Sequence, residues 1–521
     1  MSFNNAMIIR DNQSFGAILD RTPQAIAYHC MDRTATHAEL RHASRSCAAY
    51  LAALGLRRGD VMAVWLPDGG SWLQLLFAAA QLGVLMVPIS TRFRAEEATH
   101  VLQVSAAKAI FVPANFLKYD YAGQAKTIQA QLPHLAHVVI VEDPAGFLPT
   151  PGHAPLQEEF GQPSDPLCTF STSGTTGAPK LAMHHQDGIA EHGANVALRT
   201  EISADSVMLC ALPLYGVMSF VQMISALSGG AACVFMQVYD AEGAAKLIDQ
   251  YRVTHLFGAD GVFGPVLDVE GPALTSWRWG GFADFTGMSA DVIEKAERRC
   301  GLRAFGLYGS SECFALTATN LPADDAAQRA IPGGLPVSAN IEFRVAHVDS
   351  GAVVPDGEQG ELQIRGYNVM TGYLNNPDAT AGAFADDGWF RSGDLAYKAG
   401  GRFVYLARLK DSLRLRGYLV DPTEIENFLG RHPLLVDAQV VGIHVPGEGD
   451  VAVAFARAER GAGKVDEQAV LEYCRAGISN YKVPRRVIFV DAYPCSVGAN
   501  GTKVLKNKLR EMAEQTLSST A

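Results

Sequence analysis

Residues 171 to 180 read Ser-Thr-Ser-Gly-Thr-Thr-Gly-Ala-Pro-Lys and follow the apolar run Leu167 to Phe170. Glycines let backbone N–H groups approach a phosphate closely, the hydroxyls add donors, and Lys180 adds positive charge. A flexible linker would not need three Thr, a Pro and a Lys packed around two Gly. A Walker-type loop needs Gly-Lys-Ser/Thr after its second glycine, and that sequence is missing. The run therefore predicts a phosphate cradle of another kind, made of Thr172, Ser173, Gly174, Thr175, Thr176, Gly177 and Lys180. Farther along, Glu312 follows Tyr308-Gly309-Ser310-Ser311, and a carboxylate beside phosphates is tolerable where it faces a cation.

Three further segments occur in a fixed order: Trp389-Phe390-Arg391-Ser392-Gly393-Asp394, then Ala407-Arg408-Leu409-Lys410-Asp411, then Asn500-Gly501-Thr502-Lys503. With the loop and the Phe305 to Glu312 stretch, this order resembles the ANL superfamily of adenylate-forming enzymes, which includes acyl-CoA synthetases, peptide-synthetase adenylation domains and luciferases. The resemblance covers nearly the whole chain. It implies that Tyr308 stacks on adenine, Ser311 reaches a phosphate and Glu312 serves Mg²⁺. It further implies that Asp394 holds the ribose hydroxyls, Arg408 the ribose or a phosphate, and Lys503 bridges carboxylate and α-phosphate. Lys410 stands at the hinge position, and Gly417 in the loop that lines the pantetheine tunnel. Gly281 and Phe282 fall where relatives contact adenine, and Tyr215, Gly216, Phe282 and Gly306 where they form the acyl pocket.

The chain departs from the family pattern at several places. Gly216 stands where a gating His is usual, Phe282 replaces a small residue, Leu181 replaces the Gly after the loop lysine, and Thr502 intervenes between Gly501 and Lys503. Lys506 and Lys508 compete with Lys503 for the catalytic role. His184 and His185 are not obvious catalysts, and two adjacent histidines without partners in the sequence read as structural. No acid occurs between Ala211 and Ala226, so a substrate ammonium would lack a counter-charge there, and an amino-acid substrate is disfavoured.

The resemblance thus implies an ATP-dependent acid:CoA ligase that works through an acyl adenylate on a fatty, aryl or other non-amino acid, with ATP, Mg²⁺ and coenzyme A. Its alternatives are an enzyme loading a separate acyl-carrier protein and a non-catalytic acyl or nucleotide binder. A homodimer is a possible assembly.

These residues need elements to hold them. Thr36 with Glu39 predicts a capping box, and helices and strands then alternate: helix Gly70 to Leu82, apolar run Val84 to Ile89, helix Ala95 to Ala106, strand Ala109 to Val112. Such repeated βα units predict parallel sheets layered with helices. From Ile341 the texture shifts to shorter alternating runs, predicting a β-rich subdomain, and the polar Arg408 to Ser412 segment marks a boundary. The expected class is α/β, with a large N-terminal domain (1–409) and a small mobile α+β C-terminal domain (410–521).

At 521 residues the chain exceeds what one core usually organises, and 48% hydrophobic with 19% charged residues indicates a globular enzyme. A net charge of −11 argues against a nucleic-acid partner, which needs clustered Lys and Arg. The longest apolar run, Leu73 to Ile89, is interrupted by Gln74, Gln81 and Gly83, so membrane insertion is not expected. Nine scattered cysteines without a CxxC pair, and no secretory signal at the start, point to a reducing, cytoplasmic setting.

Overall fold

The computed structural model describes residues 14–172, 179–284, 289–415, 418–420, 422–445, 449–459, 465–478, 480–498 and 501–518. The capping box is present. The Thr36 hydroxyl accepts from the Glu39 N–H while the Glu39 carboxylate accepts from the Thr36 N–H, and the helix runs His37–Ala53. Helices Gly70–Leu82, Ala241–Tyr251 and Ser289–Cys300 occupy the expected spans. Every side chain of Gly70–Leu82 is buried, as its apolar composition requires, and Gly83 closes it in the left-handed conformation that glycine adopts without penalty.

Two sheets organise the large domain. One has seven strands; its Val61–Val64, Leu85–Pro88, Ala109–Pro113 and His137–Val141 strands pair in parallel, and Pro166–Thr172 adds in parallel to Leu85–Pro88. Pro166–Thr172 then turns back through Lys180–His185 as an antiparallel pair, with Thr172 opposite Lys180. The phosphate-cradle run is thus the connection of a hairpin. Residues 173–178 lie outside the described residues.

The other sheet has thirteen strands and changes character in its middle. His255–Ala259, Trp279–Ala283 and Phe305–Ser310 are parallel neighbours, whereas Phe305–Ser310 and Phe314–Thr319 pair antiparallel. Antiparallel pairing continues through Gly333–Pro336, Arg402–Arg408, Phe390–Ala399, Gln359–Gly366 and Ile341–Ala346. The segment after Ile341 is β-rich as expected, and its antiparallel strands continue the hydrogen-bonded order of the parallel sheet.

A small C-terminal domain follows. Its sheet joins Leu435–Val445, Gly449–Ala458 and Arg486–Phe489, and helices Pro422–Leu429, Glu467–Gly477 and Lys506–Ser518 accompany it. The strand expected over Leu413 to Val420 is a hairpin of Leu413–Leu415 and Tyr418–Val420. Its cores, one around Val440, Ala454 and Val470 and one around Phe455 and Leu509, contain no residue of the large domain.

Candidate active site

The residues singled out by chemistry gather where the thirteen-stranded sheet switches from parallel to antiparallel. Tyr308 lies near the end of Phe305–Ser310, the last strand with a parallel neighbour, and Ser311 and Glu312 form the turn into Phe314–Thr319.

The strands Phe390–Ala399 and Arg402–Arg408 place Asp394 directly opposite Arg408. Asp394 is only 2% exposed, and its carboxylate accepts the Tyr308 hydroxyl at 2.6 Å and faces Arg408 Nε at 3.1 Å. Burial and the Asp394 charge keep the Tyr308 hydroxyl protonated. The same carboxylate holds the Arg408 guanidinium firmly in its charged form, against the opposing effect of burial. A buried acid fixed by a hydroxyl and a guanidinium is a preorganised acceptor. Ser392 braces it: its hydroxyl accepts from the Asp394 N–H at 3.1 Å and donates to the Leu362 carbonyl at 2.6 Å.

The second group comes from the seven-stranded sheet. Lys180 Nζ sits 4.4 Å from the centre of the Tyr373 ring, and the Tyr373 hydroxyl donates to Glu312 Oε1 at 3.0 Å. Burial first, and the Glu312 charge second, keep that hydroxyl protonated. The Glu312 carbonyl accepts the Met370 N–H at 2.7 Å, so both ends of the residue are tied to the 370–373 segment. Lys180, Tyr373 and Glu312 thus bring one cation and one anion side by side.

Of the residues expected to line the acyl pocket, Gly216 caps the buried helix Val217–Gly229, and Tyr215 is 8% exposed. The preceding residue, Leu214, donates its N–H to both oxygens of Asp68, at 3.0 and 3.2 Å. Burial pushes the Asp68 carboxyl up to about 8, and the Leu214 bond only partly offsets it.

Phe282 does not line an acyl pocket with its side chain. It is fully buried and its ring lies 5.3 Å from Phe263, in the core beneath the Ser289–Cys300 helix. Strand alternation is the reason: Gly281 and Phe282 face opposite sides, and only the Phe282 backbone can serve a ligand. A Cβ on Gly281 would come within 2.7 Å of the Phe305 ring, and one on Gly306 within 2.6 Å of the Ile331 carbonyl. Both glycines are therefore required by close packing.

Lys503 stands opposite Ser496 in a hairpin of Cys495–Gly498 and Gly501–Val504, and its side chain lies outside the described part. Its competitors are engaged elsewhere: Lys506 pairs with Glu426 at 2.7 Å and Lys508 with Glu511 at 2.8 Å. Ser173, Gly174, Thr175, Thr176, Gly177 and Gly417 lie outside the described residues, as does the Lys410 side chain. Asp68, Tyr373 and His192 escaped sequence reasoning. Tyr373 had the best available signal, an aromatic in a Gly-Tyr pair ahead of Asn375-Asn376-Pro377. His184 does have a partner, the Ser311 carbonyl at 2.8 Å.

Comparison with known proteins agrees with this layout. Residues 15–374 match the family model described as AMP-binding enzyme, and residues 424–497 match the AMP-binding enzyme C-terminal domain. The chain is 32% identical to the 3-[(3aS,4S,7aS)-7a-methyl-1,5-dioxo-octahydro-1H-inden-4-yl]propanoyl:CoA ligase of Mycobacterium tuberculosis, over 97% of this chain and 100% of that protein. It is 30% identical to the mitochondrial medium-chain acyl-CoA ligase ACSF2 of Danio rerio, over 92% of this chain and 84% of the relative. Among solved structures, ATP-bound MatB from Rhodopseudomonas palustris superposes with a TM-score of 0.85 at 24% identity, covering 96% of this chain and 98% of that one.

Proposed function

We propose a division of labour at this site from the premise that the chain belongs to the AMP-binding enzyme family and is an AMP-forming carboxylic acid:CoA ligase. In the first half-reaction the substrate carboxylate attacks the α-phosphorus of ATP, the bond to the β-phosphate oxygen breaks, and pyrophosphate leaves. In the second the CoA thiol attacks the acyl carbon of the adenylate and AMP leaves, with the thiol proton passing to solvent.

The observation that carries the assignment of residues is the convergence of Tyr308, Asp394 and Arg408 with Lys180, Tyr373 and Glu312 around the Ser311–Glu312 turn. Asp394 accepts the ribose hydroxyls, Tyr308 supplies the aromatic wall for adenine, and Arg408 fixes the carboxylate. Lys180, Thr172 and the hairpin connection take the β- and γ-phosphates, with Ser311 adding a donor. Lys503 meets charge that develops at the α-phosphate, so catalysis is positioning and electrostatics without a covalent enzyme intermediate.

The donor set at Glu312 suits Mg²⁺. This ion usually takes one or two protein carboxylates plus substrate phosphates, and the described residues contain no cluster of three acidic, His or Cys ligands that would form an all-protein cage. Glu312 would hold it, where it neutralises phosphate charge.

Two ion pairs support a hinge at Lys410 and the boundary after residue 409. Arg408 is anchored to Asp394 in the large domain, while Asp411 pairs with Arg510 of the last helix at 2.5 Å. Only Leu409 and Lys410 lie between those anchors. Turning there withdraws Lys503 and lets Gly417 approach the pantetheine.

The acid is apolar and lacks an amino group. Tyr215, Val217 and Met218 are buried beside Gly216, and Asp68, which reaches the adjoining Leu214, is enclosed and accepts that residue's N–H. The names of the relatives, a bicyclic propanoate ligase and a medium-chain ligase, fall in this class. We place the enzyme in a reducing, cytoplasmic setting because its nine cysteines are all free, eight of them at least partly buried, and no helix among the described residues is long and apolar enough to cross a membrane.

Incubating the enzyme with MgATP, CoA and a panel of straight-chain, bicyclic and aryl acids, with acyl-CoA read by mass, tests this assignment. Thioester formed with apolar acids and none with amino acids is the expected result; a preference for amino acids would overturn the substrate class.

A further inference from the structure

The turn that carries Ser311 and Glu312 is held in a way that its own strand pairing does not explain. Two of its neighbours adopt backbone angles that side chains rarely take: Phe314 has φ +65° and Leu316 has φ +57°. Neither is glycine, and both are fully buried. Such left-handed residues persist only where the surroundings over-determine them.

The surroundings here are donors aimed at successive carbonyls. The Ser311 carbonyl accepts from His184 Nε2 at 2.8 Å, and the Glu312 carbonyl from the Met370 N–H at 2.7 Å. The Cys313 carbonyl accepts from Asn368 Nδ2 at 2.9 Å and from the Thr317 hydroxyl at 2.5 Å, that hydroxyl also lies 3.0 Å from the Phe314 carbonyl, and the Ala315 carbonyl accepts from His192 Nε2 at 2.8 Å. The carbonyls of Ser311, Glu312, Cys313 and Ala315 are each captured, and the two histidines take the first and the last. Between them the Phe314 ring is sandwiched, stacked 4.0 Å from the His184 ring and 4.9 Å from the His192 ring.

Both histidines lie on the Lys180–His185 strand or the Gln186–Arg199 helix that follows it, so they continue directly from the hairpin that carries the phosphate-cradle loop. Each is 1% exposed. The carbonyl acceptors require the proton on Nε2. For His192 a second contact agrees, since Nδ1 lies 3.4 Å from the Tyr367 hydroxyl, which itself accepts from Asn195 Nδ2 at 3.1 Å. Burial pushes His184 down to about 3 and His192 to about 4, so both rings are neutral donors at physiological pH.

We propose that His184 and His192 are positioning residues for adenylation: as a pair they clamp the Ser311–Glu312 turn through its flanking carbonyls and so fix where Glu312 and Ser311 meet the metal–nucleotide complex. The inference rests on the reading of Glu312 and Ser311 given above. It also couples the two sheets, because the strand and helix that leave the cradle loop set the geometry of the acid on the other side of the nucleotide. Neither imidazole touches substrate or exchanges a proton in this scheme.

The test is pyrophosphate exchange into ATP at varied Mg²⁺, MgATP and acid. His184→Leu keeps much of the volume and removes the donor, whereas His184→Gln restores a donor near the Nε2 position. His184→Leu is expected to raise the half-saturating Mg²⁺ and lower kcat/KM for MgATP at least ten-fold, with the acid KM changing less than two-fold, and His184→Gln is expected to recover most of the loss. Conversion of a supplied acyl adenylate to thioester should stay within two-fold of wild type. Equal impairment of the Leu and Gln variants, an unchanged Mg²⁺ response in the Leu variant, or an acid KM that moves as much as that for MgATP would overturn the proposal. The same pair of substitutions at His192 gives an independent reading if His184→Leu does not fold. Glu312→Gln serves as the reference: if it leaves the Mg²⁺ response unaltered, the role of Glu312 fails and the clamp fails with it. A shift in Glu312→Gln without one in the histidine variants refutes the clamp alone.

Discussion

Replacing Asp394 by Asn changes one atom and one charge at a buried, doubly engaged point of the site. In the wild-type protein the Asp394 carboxylate is 2% exposed and fixed by the Tyr308 hydroxyl at 2.6 Å and by Arg408 at 3.1 Å, so a ribose meets an acceptor that needs no reorganisation. Hydrogen bonds to an ionised group contribute roughly 1.5–3 kcal/mol, against about 0.5–1.5 kcal/mol for neutral ones. Two ribose hydroxyls that lose the ionised acceptor therefore lose ~2–3 kcal/mol, which is about 30- to 150-fold in ATP affinity. Asn keeps an acceptor for the Tyr308 hydroxyl, and the Arg408 guanidinium retains the Ser392 carbonyl at 3.2 Å, so the variant should remain folded. The discriminating assay is calorimetric titration with ATP and with 2′-deoxy-ATP. The wild-type protein should prefer ATP by more than roughly ten-fold, since the deoxy analogue forfeits one charge-assisted bond, while Asp394→Asn should narrow that preference to a few-fold. A variant that keeps the wild-type ratio of the two nucleotides would show that Asp394 does not bind the ribose, whatever happens to overall affinity.

Two other perturbations separate parts of the site. Lys503→Ala should abolish adenylation yet still convert a supplied acyl adenylate to acyl-CoA, measured as two separate half-reactions; equal loss of both would refute its role. For Asp68 the sign follows from its raised folded-state value. The carboxyl ordinarily titrates near 3.8 and in the fold near 8, so its stabilising contribution is complete at low pH and is lost as pH rises through 8. The buried histidines His37, His184, His192 and His255 are all pushed down, so their contribution is present above about 6.5 and falls as pH drops. Between pH 6.5 and 8 the Asp68 slope, of order 1.4 kcal/mol per pH unit, should therefore stand out in urea midpoints. Asp68→Asn should flatten it while leaving an acceptor for the Leu214 N–H; an unchanged slope would refute the assignment.

What could be read from the sequence was what local chemistry encodes. The Thr36 capping box, the largely apolar Gly70–Leu82 helix and the amphipathic Ser289–Cys300 helix each carry their signal within a few residues. The segments of Glu312, Asp394, Arg408 and Lys503 stood out through their resemblance to a known family's ordered motifs, because a Ser392-Gly393-Asp394 run taken alone reads as an ordinary turn. The contacts that give the site its rigidity were not legible, because they join residues far apart. His184 meets Ser311 across 127 positions and Leu214 meets Asp68 across 146. Read along the chain, His184 is half of a His-His pair and Asp68 is an acid in a turn. The fusion of parallel and antiparallel strands into one sheet was hidden likewise, since the pairing of Gly333–Pro336 with Arg402–Arg408 depends on register between distant segments. Phe282 was misjudged for a simpler reason: which face of a strand a residue takes is decided by the neighbouring layer.

The change of strand direction at Phe305–Ser310 bears on how such a protein diversifies. Tyr215 and Gly216, proposed to face the acid, connect to strands on the parallel flank, and Asp394 and Arg408 belong to the antiparallel flank, with Tyr308 on the seam. The two flanks meet through backbone pairing along a single seam strand. Side chains nevertheless cross the seam, since Phe220 of the Val217–Gly229 helix and Phe314 both pack on Phe170, so a library confined to the Val207–Gly229 region would alter the nucleotide grip through that ring cluster as well as the surroundings of the acid.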